Sequence, residues 1–282
     1  MRSSDEYIGQ PDAWCPGCGN HLILRAFKEA LAEMDLDPHR FVIVSGIGQA
    51  GKFPHSLKCN TFNGLHGRTL PVATGIKLTN PDMLTIAVAG DGDCYGEGGN
   101  HLLHTIRKNP DIKLFVHNNQ IYGLTKGQAS PTSMHGMKTK VQPSGVLSEQ
   151  FNPLAFAVAM DCSFVARSYA GNKEHLKSMI KQAVSHRGFS LVDILQPCVT
   201  FNKLNTYEWY GSRVRELGTE YNPEDRMEAL KKSFEWGDEI PIGVIYKNSR
   251  QTIETRINSL YHPYKSVLPD NKEIEKILKE FY

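Results

Sequence analysis

Short, almost wholly apolar segments alternating with helix-period stretches constrain this chain more than any other feature. FVIVSGIG (41–48), MLTIAVAGDGD (83–93), IKLFVHNN (112–119), SFVARS (163–168) and FSLVDIL (189–195) read as strands. A strand that is apolar at successive positions has no face to give to water, so both faces of its sheet must be covered. Covers lie between them: HLILRAFKEALAEM (21–34), closing before Asp37-Pro38; GNHLLHTIRKN (99–109), stopped by Pro110; PLAFAVAM (153–160); and KEHLKSMIKQAVSHRG (173–188), ending in Gly188. The alternation predicts an α/β architecture, a mostly parallel sheet sandwiched by helices. In such sheets ligands bind where the carboxyl ends of strands give way to loops.

Beyond residue 205 the pattern becomes aromatic, polar and aperiodic. We therefore expect a domain over 1–205 and a C-terminal extension over 206–282, packed on that domain or on a partner subunit and without a core of its own. Within the extension we expect a helix over 223–236, an edge strand over 240–246 and a terminal helix over 271–281. Of the 282 residues, 32 are Lys or Arg and 30 Asp or Glu, a net charge of +2 that gives no reason to expect a nucleic-acid surface. The apolar stretch 83–89 is far shorter than the roughly twenty residues of a membrane helix. MRSSDEYIGQPDAW carries acids and no apolar core, unlike a secretory signal. Six cysteines are too few for a disulfide scaffold, so reduced thiols and a cytoplasmic location are expected.

Gly90-Asp91-Gly92 ends one strand, and Asn118-Asn119 ends the next. A carboxylate, an amide oxygen and a loop carbonyl are hard donors of the kind Mg²⁺ or Ca²⁺ takes. Glycines there let the backbone approach a phosphate, and the following helix offers that anion its N-terminus. Together the two segments resemble the thiamine diphosphate (ThDP) binding motif. On that resemblance Asp91 and the Asn119 side chain ligate Mg²⁺, with the Ile121 carbonyl as third protein ligand.

Trp14-Cys15-Pro16-Gly17-Cys18-Gly19 carries a CxxC in a glycine-rich turn before a helix. A redox dithiol would follow a strand, and none is expected before Cys15. A structural zinc site wants a second CxxC or a histidine pair. An iron–sulfur cluster also takes four ligands, but distant single cysteines can complete it, and Cys198 at another strand end is a natural third. Cys162 reads as a small buried hydrophobe, and Cys94 lies too close to Gly92 for a cluster.

In order, WCPGCGNH, VSGIGQAGKFP, FNGLHGRTLPVATGIKL, GDGD, HNNQIYGLTKGQASPTS and PCVTFNKLNTY resemble the β subunit of 2-oxoacid:ferredoxin oxidoreductases, above all its 2-oxoglutarate (KorB-type) branch. The resemblance runs from about residue 7 to 210. It implies the ThDP diphosphate-domain fold and oxidative decarboxylation of a 2-oxoacid to an acyl-coenzyme A. Electrons would leave through a [4Fe-4S] cluster to ferredoxin. The implied cofactors are ThDP, Mg²⁺ and that cluster. The implied partners are an α subunit carrying the pyrimidine-binding domain with its activating glutamate, further small γ or δ subunits, ferredoxin, coenzyme A and the 2-oxoacid. This chain alone should then be inactive.

Carried over position by position, Ile47, Gly48, His66, Gly90, Asp91, Gly92 and Asp93 would bind the cofactor, with Asn119, Ile121, Tyr122, Gly123 and Leu124. Lys52 would face the substrate carboxylate, Lys126 and Leu124 would lie close to substrate, and His66 would stand near the diphosphate or the entrance. Cys15, Cys18 and Cys198 would hold the cluster. Many relatives carry a fourth cysteine after the first core strand, where this chain has Gln49. Cys59, ten residues on, is expected to serve instead. The alternatives are three cysteines with a non-cysteine ligand, or no cluster. Rival readings are a non-redox ThDP-dependent decarboxylase or lyase subunit, pyruvate as the substrate, and a non-catalytic iron–sulfur or zinc module.

Overall fold

The computed structural model describes residues 2–257 together with Glu275, Leu278 and Lys279. Eight strands form one sheet in the order β2-β1-β3-β4-β8-β7-β10-β9. They are β1 (Phe41–Ser45), β2 (Asn60–Asn63), β3 (Leu84–Gly90), β4 (Ile112–Asn118), β7 (Phe164–Tyr169), β8 (Ser190–Leu195), β9 (Val214–Glu216) and β10 (Ile240–Lys247). A small hairpin pairs β5 (Ile121–Tyr122) with β6 (Gln128–Ala129). From β2 to β7 in sheet order every pairing is parallel. β10 runs antiparallel to β7, and β9 parallel to β10.

The apolar strands are two-faced, and successive residues serve opposite layers. Ile43, Ile86, Val88 and Phe115 enter one core with Phe27 of α1 (Gly19–Glu33) and Ile180 of α5 (Lys173–Ser185). Val44, Ala87, Leu114 and Val116 enter the other core. There they meet Leu70 of α2 (Thr69–Thr79), Ile106 of α3 (Gly99–Lys108) and Leu154 of α4 (Pro153–Ala159). Phe27 anchors the first layer, its ring edge-on to Phe53 at 5.3 Å and to Phe115 at 5.2 Å. Truncating so buried a ring would cost about 3–5 kcal/mol.

The chain order reverses at β1, which has β2 on one side and β3 on the other. Such a reversal opens a crevice at the carboxyl ends of the strands. The loops after β1, β3 and β4 all meet there.

Two segments carried little sequence signal. β2 is polar and exposed along its length, and α2 shows no marked amphipathic stripe. The C-terminal extension is more integrated than expected. β10 is covered on its outer side by the three-residue β9, so it is not an edge strand; VRE (214–216) is too short and polar to read as a strand from sequence. α6 (Tyr207–Gly211) supplies Tyr210, which packs with Ile240, Tyr169 and Leu195, so the extension shares its apolar residues with the main sheet. The helix expected over 223–236 is α7 (Arg226–Ser233); it starts late because the Asp225 side chain caps it, accepting from the N–H groups of Met227 and Glu228. A short α8 (Ile253–Ile257) follows β10. The terminal helix expected over 271–281 lies, apart from Glu275, Leu278 and Lys279, outside the described residues. Among the described residues no helix is long and apolar enough to cross a membrane.

Candidate active site

One cleft at the β1/β3/β4 crevice gathers the loops that carry the motifs. Ile47, Gly48, Gln49 and Ala50 come from the β1 loop, and His66 from the segment before α2. Gly90 to Asp93 follow β3, and His117 with residues 119 and 121–125 end β4 and open β5. All twelve residues expected to bind cofactor line it. After Asp91 the chain winds through a π-helical turn, Gly92–Glu97, directly into α3. Only glycine fits at 92, because a Cβ there would run into the Tyr122 ring. Gly46 is held in the same way against the Asp93 carboxylate.

Asp91 is 2% exposed. Its Oδ2 accepts from Ser130 Oγ at 2.5 Å and Thr132 Oγ1 at 2.6 Å. Burial pushes its carboxyl up to about 6 against the pull of those two hydroxyls. Among the described residues no basic side chain pairs with it. A buried carboxylate without a counter-ion is costly, and a bound cation would relieve it. Asn119 and Ile121 line the same cleft, and Asn119 Oδ1 accepts the Ile121 N–H at 3.0 Å, which ties the two residues into one turn. An amide oxygen has a second lone pair, so this bond leaves it free to ligate. The donor set therefore fits Mg²⁺.

A second ring of contacts fixes these donors. Thr132 Oγ1 also lies 2.8 Å from Asn118 Oδ1, and Asn118 Nδ2 donates to both oxygens of Asp193 at 3.1 and 3.2 Å. Asp193 is buried, accepts from Tyr95 OH at 2.8 Å, and faces Arg167 Nε at 3.9 Å. Arg167 in turn lies under the Trp236 ring, 5.3 Å from its centroid, so the extension reaches the back of the site. Asn202 Nδ2 donates to Asn119 O at 3.1 Å, and Ser133 Oγ to Gln120 O at 2.6 Å. Sequence reading did not single out Ser130, Thr132 or Asp193. A lone acid inside the apolar strand FSLVDIL was the one signal available for Asp193.

Asp93 lines the cleft, but its carboxylate is occupied. It accepts from the N–H groups of Ile47 (3.2 Å) and Gly67 (2.8 Å) and from Thr69 Oγ1 (3.1 Å). Burial raises its pKa in spite of these donors. Its part is to tie the loops after β1 and before α2 to the one after β3. His66 Nδ1 stands 3.2 Å from Asp93 and 3.3 Å from Glu97. His117 is buried and kept neutral, pushed down to about 3, with Nδ1 2.7 Å from Asn20 Oδ1.

Two expected catalytic residues, Lys52 and Lys126, are not among the residues that line the cleft. Lys52 sits half-buried in a 3₁₀ turn, Ala50–Ser56, whose first residue, Ala50, lines the cleft. Lys126 is exposed at the β5–β6 turn, held at φ 74° with its N–H donating to Gly123 O, outside the lining residues.

A second pocket adjoins the first. Cys15, Cys18, Cys198 and Gln49 line it with Trp14, and Gln49, Asn119 and Gly123 form the wall shared with the cleft. Burial raises the Cys18 pKa, and the neighbouring thiols of Cys198 and Cys15 raise it further. The void between them is about 20 Å³. Cys59 is elsewhere. It precedes Asn60, which is in register with Val42, so it lies level with the start of β1. The pocket lies beyond the far end of that strand, roughly 15 Å away at about 3.3 Å per residue. The expectation that Cys59 joins the other three fails on that geometry. Burial alone pushes its thiol up to about 12.

Residues 46–194 match the family model of the C-terminal TPP-binding domain of thiamine pyrophosphate enzymes. Residues 198–262 match that of the C-terminal part of the pyruvate ferredoxin oxidoreductase β subunit. Fold and cleft thus define a thiamine diphosphate-dependent enzyme domain. A 2-oxoacid:ferredoxin oxidoreductase subunit beta from a Sulfolobus species is 44% identical, with 96% of this chain and 93% of the relative aligned. The 2-oxoglutarate oxidoreductase subunit KorB of Mycobacterium tuberculosis is 43% identical over 72% of this chain and 54% of its own length. A solved 2-oxoglutarate:ferredoxin oxidoreductase from Magnetococcus marinus, with 2-oxoglutarate, coenzyme A and succinyl-CoA bound, superposes with a TM-score of 0.92. It is 33% identical and covers 99% of this chain and 96% of that one. This chain belongs to the 2-oxoacid:ferredoxin oxidoreductase β subunits, and is a subunit of an oxidoreductase.

Proposed function

We propose that this β subunit seats ThDP·Mg²⁺ and, with an α subunit, oxidatively decarboxylates 2-oxoglutarate to its coenzyme A thioester, passing electrons through an iron–sulfur cluster to ferredoxin. The observation that carries the proposal is the buried Asp91 carboxylate, without a counter-ion among the described residues, in one cleft with Asn119 and Ile121 at the strand ends. ThDP, when bound, supplies the carbanion-stabilising centre at which the 2-oxoacid loses CO₂. Asp91, Asn119 Oδ1 and the Ile121 carbonyl would hold the metal. Ser130 and Thr132 orient Asp91, and Asp93 fixes the loops that close round the diphosphate.

The choice of 2-oxoglutarate is supported by the names of the KorB-type relatives and by the ligands of the Magnetococcus structure. An α partner is supported by the cleft itself. It encloses about 70 Å³, against roughly 300–1,000 Å³ for a complete small-molecule site. Leu65 and Leu124, on loops that border it, are 74% and 42% exposed. Beside it, residues 129–151 frame an open recess of about 780 Å³ with Leu147 85% exposed. Apolar side chains grouped at one end of a sheet mark a contact surface. Further γ or δ subunits and a cytoplasmic setting belong to the same proposal.

The test is anaerobic turnover of the assembled complex. We expect ferredoxin reduction dependent on 2-oxoglutarate and coenzyme A, and its loss in Asp91→Asn. Faster turnover of pyruvate would move the substrate assignment. Aldehyde release without acceptor reduction would favour the non-redox lyase.

A further inference from the structure

We infer that Gln49 occupies the fourth corner of the Cys15–Cys18–Cys198 pocket, so that an iron–sulfur cluster seated there is held by three thiolates and keeps one exchangeable iron. The inference deepens the electron path proposed above and rests on it.

Three observations point to Gln49. It lines the pocket with the three cysteines. Its Oε1 is buried with no hydrogen-bond partner, an acceptor left idle at a cost that a ligand would remove. Its backbone is pinned to the CxxC segment, because Trp14 Nε1 donates to Gln49 O at 2.8 Å.

The frame that holds the corners is equally definite. Cys18 N–H donates to Cys15 O at 3.0 Å and closes the CxxC turn. Gly19 N–H donates to Pro197 O at 3.3 Å, and Tyr207 OH to Gly17 O at 3.1 Å. These bonds tie the CxxC turn to the chain on both sides of Cys198. No other cysteine can enter: Cys59 is at the opposite end of the sheet, and Cys94 and Cys162 are buried in the second core.

Iron in such clusters takes thiolate, and a neutral amide oxygen is a hard, weak substitute. The iron nearest Gln49 is therefore the one that leaves first. Gln49 also belongs to the wall of the cofactor cleft, so the exchangeable corner is on the cofactor's side of the pocket.

The experiment compares wild type, Gln49→Cys and Cys59→Ser in the anaerobically purified complex. Iron, sulfide and bound ThDP are counted per β chain, above the clusters of other subunits. Ferricyanide is then added with a chelator. One-electron oxidation of [4Fe-4S]²⁺ releases one Fe²⁺, leaves [3Fe-4S]⁺ and passes the electron to ferricyanide. We expect wild type and Cys59→Ser to lose about a quarter of the cluster iron and gain the [3Fe-4S]⁺ EPR signal, while Gln49→Cys keeps all of it. Wild type holding its iron as firmly as Gln49→Cys would overturn the inference, as would loss of the cluster in Cys59→Ser. Those results leave the electron path standing. Absence of iron from wild type with ThDP still bound would overturn both.

Discussion

The cofactor cleft and the cysteine pocket share a wall but are built on different terms. The cleft stands on strand ends. Asp91 follows β3 directly, Asn119 follows β4, and a chain of polar contacts through Thr132, Asn118 and Asp193, with Arg167 facing Asp193 at 3.9 Å, runs beneath them. The cysteine pocket stands on two loops, with Cys15 exposed and the Gln49 amide in its wall. Donors on a rigid scaffold can be preorganised for a hard cation. Donors on loops can be exchanged one at a time.

Three substitutions sharpen that contrast, largest effect first. Asp91→Asn removes the one charged donor. Breaking a buried ion pair costs about 3–5 kcal/mol, so Mg²⁺-dependent ThDP affinity should fall roughly a hundredfold to several thousandfold. Calorimetric titration of the complex reads it, and affinity within a few-fold of wild type would break the assignment. Thr132→Val keeps the shape and removes the hydroxyl from Asp91. Loss of such an outer contact costs about 10- to 100-fold, and should appear as a raised KM for ThDP with kcat nearly unchanged once the cofactor saturates. Cys198→Ser should strip the pocket of iron and leave ThDP binding intact, which separates the two regions; parallel loss of both would mean they fold as one unit.

The smallest effect lies far from both. His186 caps α5 beside Phe164, and burial, helped by the nearby Lys113 charge, pushes it down to about 4. An unfolded histidine titrates near 6.5. Between those values the unfolded chain binds the extra proton, so stability should fall as pH drops from about 6.5 to about 4. The slope should be below about 1.4 kcal/mol per pH unit, the limit for one proton, because the ring is partly exposed. His186→Gln should flatten that part of the melting profile; an unchanged slope would contradict the assignment.

Most of the cleft was legible in the sequence because its residues sit in short contiguous motifs, each at the end of a strand whose apolar run declared it. Asp91 and Asn119 needed only the strand ends to be found. Ser130 and Thr132 were not legible as site residues, since their link to Asp91 depends on how the 123–133 loop folds back. Asp193 was hidden inside a strand. Cys59 misled for a plainer reason. Ten residues along the chain carry it back to the amino end of a parallel strand, away from every loop at the carboxyl end. β9 was too short to read, which is why β10 was expected at the edge.

The central claim is that a metal-bound diphosphate sits on Asp91, Asn119 and Ile121. A structure of the assembled complex with ThDP and Mg²⁺ tests it directly. The account predicts one ion at about 2.0–2.1 Å from an Asp91 carboxylate oxygen, Asn119 Oδ1 and the Ile121 carbonyl. An ion held by other residues, or ThDP seated away from the β3 and β4 ends, would contradict it.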